Sequence, residues 1–131
     1  MKTMKIKWQR LVSMGQTCKR CGSTEKELER AITALKKSML PLGIKVILEK
    51  KKLSLAAFKK EPSRSNRIWI NNRPFEEWIN AETGESPCCN ICGDAECRTV
   101  EIGKRVYESI PSRLVVKAAL IAASRLFDKI G

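Results

Sequence analysis

Histidine is absent from this 131-residue chain. The usual nitrogen ligand of a protein metal site is therefore missing, and so is the side chain that most often moves protons near neutral pH. No glycine-rich phosphate loop is present either, so the acid pairs Glu76 with Glu77 and Asp94 with Glu96 read as solubilising and turn-forming residues. Long hydrophobic runs are lacking too. The stretch 114–127 is broken by Lys117 and Arg125 and is too short to span a bilayer. The N-terminal Met1-Lys2-Thr3-Met4-Lys5-Ile6-Lys7 has no continuous apolar segment of the kind a signal peptide needs. These absences predict a cytoplasmic protein with no membrane insertion. Aromatic residues make up 5%, and neither an internal repeat nor a Pro/Gly-rich linker is visible. With 43% hydrophobic and 31% charged residues, the length fits a single domain over 1–131 whose core does not depend on cross-links.

Against this background stand six cysteines in two short clusters. Cys18-Lys19-Arg20-Cys21-Gly22 is one C-x-x-C-G unit, and Cys88, Cys89, Cys92 and Cys97 fall within ten residues. Thiolates are nucleophiles, soft-metal ligands and reversible two-electron carriers. A reducing cytoplasm favours free, metal-bound or cycling thiols over permanent disulfides, hyperthermophiles excepted. In a redox reading of the first pair, Cys18 attacks and Cys21 resolves the mixed disulfide, with Lys19, Arg20 and a helix N-terminus favouring the anion. The same spacing is half of a structural zinc site, so both readings stay open. In the second cluster, Cys89-Asn90-Ile91-Cys92-Gly93 repeats the spacing, Cys88 is vicinal and Cys97 follows five residues later. Four soft ligands in one loop suit Zn²⁺, an iron–sulfur cluster, or a thiophilic ion such as As(III), Hg(II) or Cu(I). A stabilising disulfide and buried packing thiols are the alternatives.

Hydrophobic patterning supplies the scaffold. Residues 6–12 read as a strand that stops at Ser13-Met14-Gly15. Thr24 and Glu27 form a capping-box signature ahead of Leu28, Ala31, Ile32, Leu35 and Met39, which recur at helical spacing up to Pro41 and Gly43. A buried strand over 44–49, a short helix capped by Ser54, and a third strand over 68–70 closed by Asn71-Asn72 follow. Residues 73–96 look irregular apart from a helical turn over 75–79. A hairpin turning at Gly103 comes next, and Pro111 opens the last helix, with Arg113, Lys117, Ser124 and Asp128 on its wet stripe. The strand–helix–strand unit calls for a right-handed crossover.

This order, with C-x-x-C between the first strand and the first helix, resembles the thioredoxin fold. The runs Trp8-Gln9-Arg10, Thr17-Cys18-Lys19-Arg20-Cys21-Gly22, Asn66-Arg67-Ile68-Trp69-Ile70-Asn71, Ser86-Pro87-Cys88-Cys89 and Gly93-Asp94-Ala95-Glu96-Cys97-Arg98-Thr99 resemble a prokaryotic thioredoxin-like domain family of unassigned function. The resemblance implies an α/β, thioredoxin-like fold: a central mixed four-stranded sheet flanked by helices, with a Cys-rich insertion at about 73–97 between strands 3 and 4. It supports the fold far more than any activity, and thiol–disulfide oxidoreductase chemistry at Cys18 and Cys21 is read from those residues themselves. Two departures stand out. Where thioredoxins place a cis-proline facing the dithiol, this chain has Ser65-Asn66-Arg67-Ile68, with Pro62 several residues early. Gly22 and Ser23 also separate Cys21 from the cap expected at Thr24, which would dilute the helix dipole. Because the third strand of such a sheet runs antiparallel to the first, the loop after Ile70 starts at the end away from Cys21, and two separate cysteine centres are expected.

The balance of 26 basic against 14 acidic residues gives a net charge of +12. That favours an anionic partner such as nucleic acid. The basic residues are nevertheless dispersed, with few aromatics among them, and read as a solvated face whose nucleic-acid binding is weak and non-specific. The sequence thus predicts dithiol/disulfide exchange at Cys18 and Cys21, with Cys88, Cys89, Cys92 and Cys97 as an auxiliary thiol site or a site for zinc or another thiophilic metal. The expected partners are a protein thiol or disulfide, or a thiophilic ion, and no specific nucleic acid. The alternatives are a zinc or thiophilic-metal binder without redox turnover, and a basic zinc-ribbon-like nucleic-acid module.

Overall fold

A computed structural model describes residues 2–12, 19–61, 64–87 and 96–128, with the backbone alone at 19, 20, 87, 96, 97, 127 and 128. The alternation of charged and apolar residues at the N-terminus makes strand β1 (Lys2–Leu11), the centre of a four-stranded sheet. Met4, Ile6 and Trp8 point to one side and are fully buried, while Lys5 and Lys7 between them are exposed and half-buried. Helix α1 (Lys19–Met39) buries Leu28, Ala31, Ile32, Leu35 and Met39. A 3-10 turn at Leu40–Leu42 and Gly43, at φ +71, reverse the chain into β2 (Ile44–Leu53). That strand lies parallel to β1 over its whole length, from Lys2 opposite Ile44 to Leu11 opposite Leu53. Ser54 accepts the Ala57 N–H and starts α2 (Leu55–Lys60), whose Phe58 is buried.

Strand β3 (Arg67–Ile70) runs antiparallel to β1, with Ile70 opposite Ile6 and Arg67 opposite Gln9. Asn71 and Asn72, at φ +50 and +67, turn it into the two-residue strand β4 (Arg73–Pro74). The sheet order is β2-β1-β3-β4. After α3 (Phe75–Trp78) come β5 (Glu82–Pro87), β6 (Glu96–Ile102) and β7 (Arg105–Tyr107), which form a second, antiparallel sheet. The sequence expectation thus holds for a mixed four-stranded sheet with helices. Its fourth strand, however, is the short Arg73–Pro74, and the hairpin around Gly103 belongs to the other sheet. Residues 73–97, read as an irregular insertion, carry β4, α3, β5 and the start of β6.

Helix α4 (Ser112–Asp128) buries Leu114, Val115, Ala118, Ala119 and Ala122 in the same core as α1 and the Met4–Ile6–Trp8 side of β1. Lys50 of β2 faces this side too and reaches Glu25 at 3.0 Å and Glu29 at 2.8 Å on α1. The opposite side of the sheet carries Lys5, Lys7, Ile47, Glu49, Lys51, Arg67 and Trp69, all exposed or half-buried. Among the described residues no helix is long and apolar enough to cross a membrane.

Candidate thiol site

Helix α1 begins at Lys19, five residues ahead of the expected cap, so Cys21 sits in its first turn. The fully buried Thr24 lies inside the helix, and its Oγ1 accepts the Ile110 N–H at 3.1 Å, while Glu27 Oε1 accepts the Ser112 N–H at 3.2 Å. The Thr24-x-x-Glu27 signature is a capping pair, but it serves the start of α4. Gly22 and Ser23 therefore do not hold Cys21 away from the positive end of the helix, and the first turn contains no acid to offset that field. Cys18, immediately before Lys19 in the chain, lies outside the described residues.

Cys21 is 1% exposed, and its Sγ is 3.6 Å from Ser65 Oγ. Ser65 is itself buried and accepts the Leu11 N–H at 3.0 Å, so its hydroxyl is fixed between the end of β1 and the thiol. Such a hydroxyl donates to a thiolate and accepts from a thiol, serving either protonation state. The position before β3 is thus filled by Ser65 and by Asn66, which takes φ +58. Asn66 Oδ1 accepts the Trp8 indole N–H at 3.1 Å, and its Nδ2 donates to the Glu108 carbonyl at 3.4 Å. Arg10 lies over the Trp8 ring at 5.0 Å, and its Nη1 is buried with no hydrogen-bond partner among the described residues. Sequence reasoning missed Ser65, Asn66 and Arg10. Of these, only the Ser65-Asn66 stretch before the third strand carried a signal.

The second cluster's scaffold returns to this same end. Ser86 of β5 pairs with Cys97 of β6, and the Ser86 hydroxyl donates to Glu108 Oε1 at 3.5 Å. Glu108 carries the chain of contacts through Asn66 to Ser65 and Cys21. The loop after Ile70 does begin at the far end of the sheet, but β5 runs back, so the open end of the β5–β6 pair stands beside the Cys21 end. The expectation that the two cysteine-bearing segments are rooted at opposite ends is therefore corrected. Cys88, Cys89 and Cys92 lie outside the described residues, as does the side chain of Cys97. Among the described residues no group of three or more metal-ligating side chains is assembled. Glu76, read as a surface acid, instead pairs with Arg98 at 3.0 Å, with both side chains nearly buried. Burial pushes the Arg98 guanidinium below its usual range, against the opposing pull of Glu76.

Residues 4–119 match the family model described as "Domain of unknown function (DUF2703)". An uncharacterised protein of Archaeoglobus fulgidus is 44% identical over 110 residues, covering 84% of this chain and 80% of that protein. No solved structure matches the chain.

Proposed function

The chain belongs to the DUF2703 family, and from that premise we propose that it is a thioredoxin-like dithiol protein exchanging disulfides through Cys18 and Cys21. The observation carrying this reading is Cys21: buried in the first turn of α1, with the Ser65 hydroxyl at 3.6 Å. A helix N-terminus and a hydroxyl donor both favour a thiolate sulfur, and burial suits a resolving cysteine that meets only the bond made by its neighbour. The strand order β2-β1-β3-β4, with α1 crossing between parallel strands, supports the thioredoxin-like assignment.

In the proposed cycle the Cys18 thiolate attacks a partner disulfide and expels one partner thiolate. The Cys21 thiolate then attacks the Cys18 sulfur, releases the second partner thiolate and leaves a Cys18–Cys21 disulfide. A dithiol reductant resets the pair by the same exchange in reverse. Cys88, Cys89, Cys92 and Cys97 form an auxiliary thiol site or hold zinc or another thiophilic ion. Rooting of β5 and β6 beside Cys21 supports a link between this site and the pair.

The test is a free-thiol count and elemental analysis of protein purified without oxygen, together with single cysteine variants. Cys21→Ser should accumulate a mixed disulfide with a model disulfide substrate, and Cys18→Ser should abolish its reduction. Equal, slow alkylation of all six thiols, or loss of the fold on chelation with no defined C-x-x-C potential, would overturn the exchange reading.

A further inference from the structure

The side of the four-stranded sheet away from α1 and α4 is closed over Gln9 but exposed or half-buried at Lys5, Lys7, Ile47, Glu49, Lys51, Arg67 and Trp69, and its composition differs from the solvated scatter expected from the sequence. Register places Lys7 directly opposite Trp69, and Arg67 lies two residues before Trp69 on the same strand. The Lys7 ammonium is 4.7 Å and the Arg67 guanidinium 4.8 Å from the centre of the indole ring. Lys5 and Lys51 flank them across β1 and β2, and Glu49 is the one acid among these positions. Glu49 is committed to an ion pair with Lys5. Its carboxyl is held below the usual range chiefly by that bond, with Lys7 and Lys51 adding to it, which places all three lysines in one electrostatic neighbourhood. Arg67 Nε is buried with no hydrogen-bond partner among the described residues, none of which anchors the guanidinium to an acid through that nitrogen.

We infer that this open sheet face binds single-stranded nucleic acid without sequence selectivity, its phosphates on Lys5, Lys7 and Lys51 and a base stacked on the Trp69–Arg67 pair. The half-buried indole holds both cations over its ring, so they present charge at fixed places. The guanidinium plane and the remaining indole surface offer the flat platform that bases stack on. Charge selects the occupant. A second copy would bring a like-charged face against this one, and an anionic bilayer would find no cluster of apolar anchors, since Ile47 alone among these positions is an exposed large hydrophobic. A double helix hides its bases and leaves the platform unused. The inference stands independently of the thiol chemistry.

The test uses the full reduced chain and a fluorescein-labelled 16-nucleotide oligothymidylate, with binding read by anisotropy across a salt series. Saturable binding is expected, with a log–log salt slope of about −2 to −3, the value for three or four phosphates on a single strand. Trp69→Ala should weaken binding roughly tenfold, as loss of one stacked base predicts, while Trp69→Phe should retain most of it. Lys7→Ala and Lys51→Ala should each flatten the slope by about 0.7. Circular dichroism confirms folding of each variant. The double variant Lys36→Ala/Lys37→Ala, which removes exposed charge from α1 instead, should change affinity less than twofold. Protein with all thiols alkylated while folded should bind as before. An equal loss in the Lys36/Lys37 variant, tighter binding to a duplex of the same length, or binding to phosphatidylserine vesicles but not to the oligonucleotide would overturn the inference.

Discussion

Thr24 and Glu27 show how a residue pattern can be read correctly and assigned to the wrong helix. Their spacing signals a cap because short polar side chains satisfy the free N–H groups of a helix start. Nothing in the sequence reveals that the N–H groups concerned lie 86 and 85 residues away, on Ile110 and Ser112. The true start of α1 was hidden for a related reason, since Cys18-Lys19-Arg20-Cys21-Gly22 contains no apolar repeat and a glycine that argues against helix. Ser65 as a neighbour of Cys21 was signalled only by the resemblance, which set Ser65-Asn66 where a proline would face the dithiol; the contact itself depends on how β3 docks beside β1. Thr24→Ala should leave the buried Ile110 N–H without its acceptor and destabilise the protein by about 1–3 kcal/mol. Thr24→Ser, which keeps the hydroxyl, should recover most of this. Urea unfolding of the two variants checks it, and equal stability of Thr24→Ala and wild type would remove the capping role.

Among elements, those with a clear apolar period were legible: β1, the body of α1, β2, β3, the hairpin of β6 and β7, and α4. Strand β5 was not, for Glu82-Thr83-Gly84-Glu85-Ser86-Pro87 has neither alternation nor an apolar residue large enough to mark a face. It is a strand because β6 supplies its partners, from Glu82 opposite Glu101 to Pro87 opposite Glu96. Missing it also hid the return of the chain toward the Cys21 end, which is made by this strand. Gly84 fits close against β6: a Cβ there would lie 2.9 Å from Thr99 Oγ1 and 3.0 Å from Glu101 Oε1. Thr99 is almost fully buried and cannot move far. Gly84→Ala should therefore destabilise by about 1–3 kcal/mol through overpacking. Amide hydrogen exchange should show faster opening in β5 and β6, with β1 and β2 unchanged.

At the scale of the whole molecule, attachments between layers were beyond the sequence. The Arg98–Glu76 pair fastens the second sheet to α3, and Lys50 ties β2 to two acids of α1. The Lys50 ammonium is raised above its usual 10.5, first by the hydrogen bond to Glu29 and then by the bond to Glu25. A raised folded-state value means that the contribution is complete below about pH 10.5 and disappears as pH climbs through the folded value. The groups are partly exposed, so its size should stay below about 1 kcal/mol. The stability difference between wild type and Lys50→Gln should thus be flat from pH 6 to 9 and shrink above about pH 10.5. A difference that instead grew with alkalinity would contradict the assignment.

The cap on α4 also has a meaning in time. Thr24 and Glu27 leave the ribosome before Ile110 and Ser112, which lie 86 and 85 residues further along the chain, and chains emerge at roughly 5–20 residues per second. The apolar row of Leu28, Ala31 and Leu35 therefore waits, without the cover of α4, for as long as the residues between α1 and α4 take to be made. The receptor for α4 is finished before its ligand exists, so the seating of α4 is a separate intramolecular docking step that follows the folding of α1 against the sheet. A newborn chain halted before that step would offer chaperones the very surface that the mature protein hides.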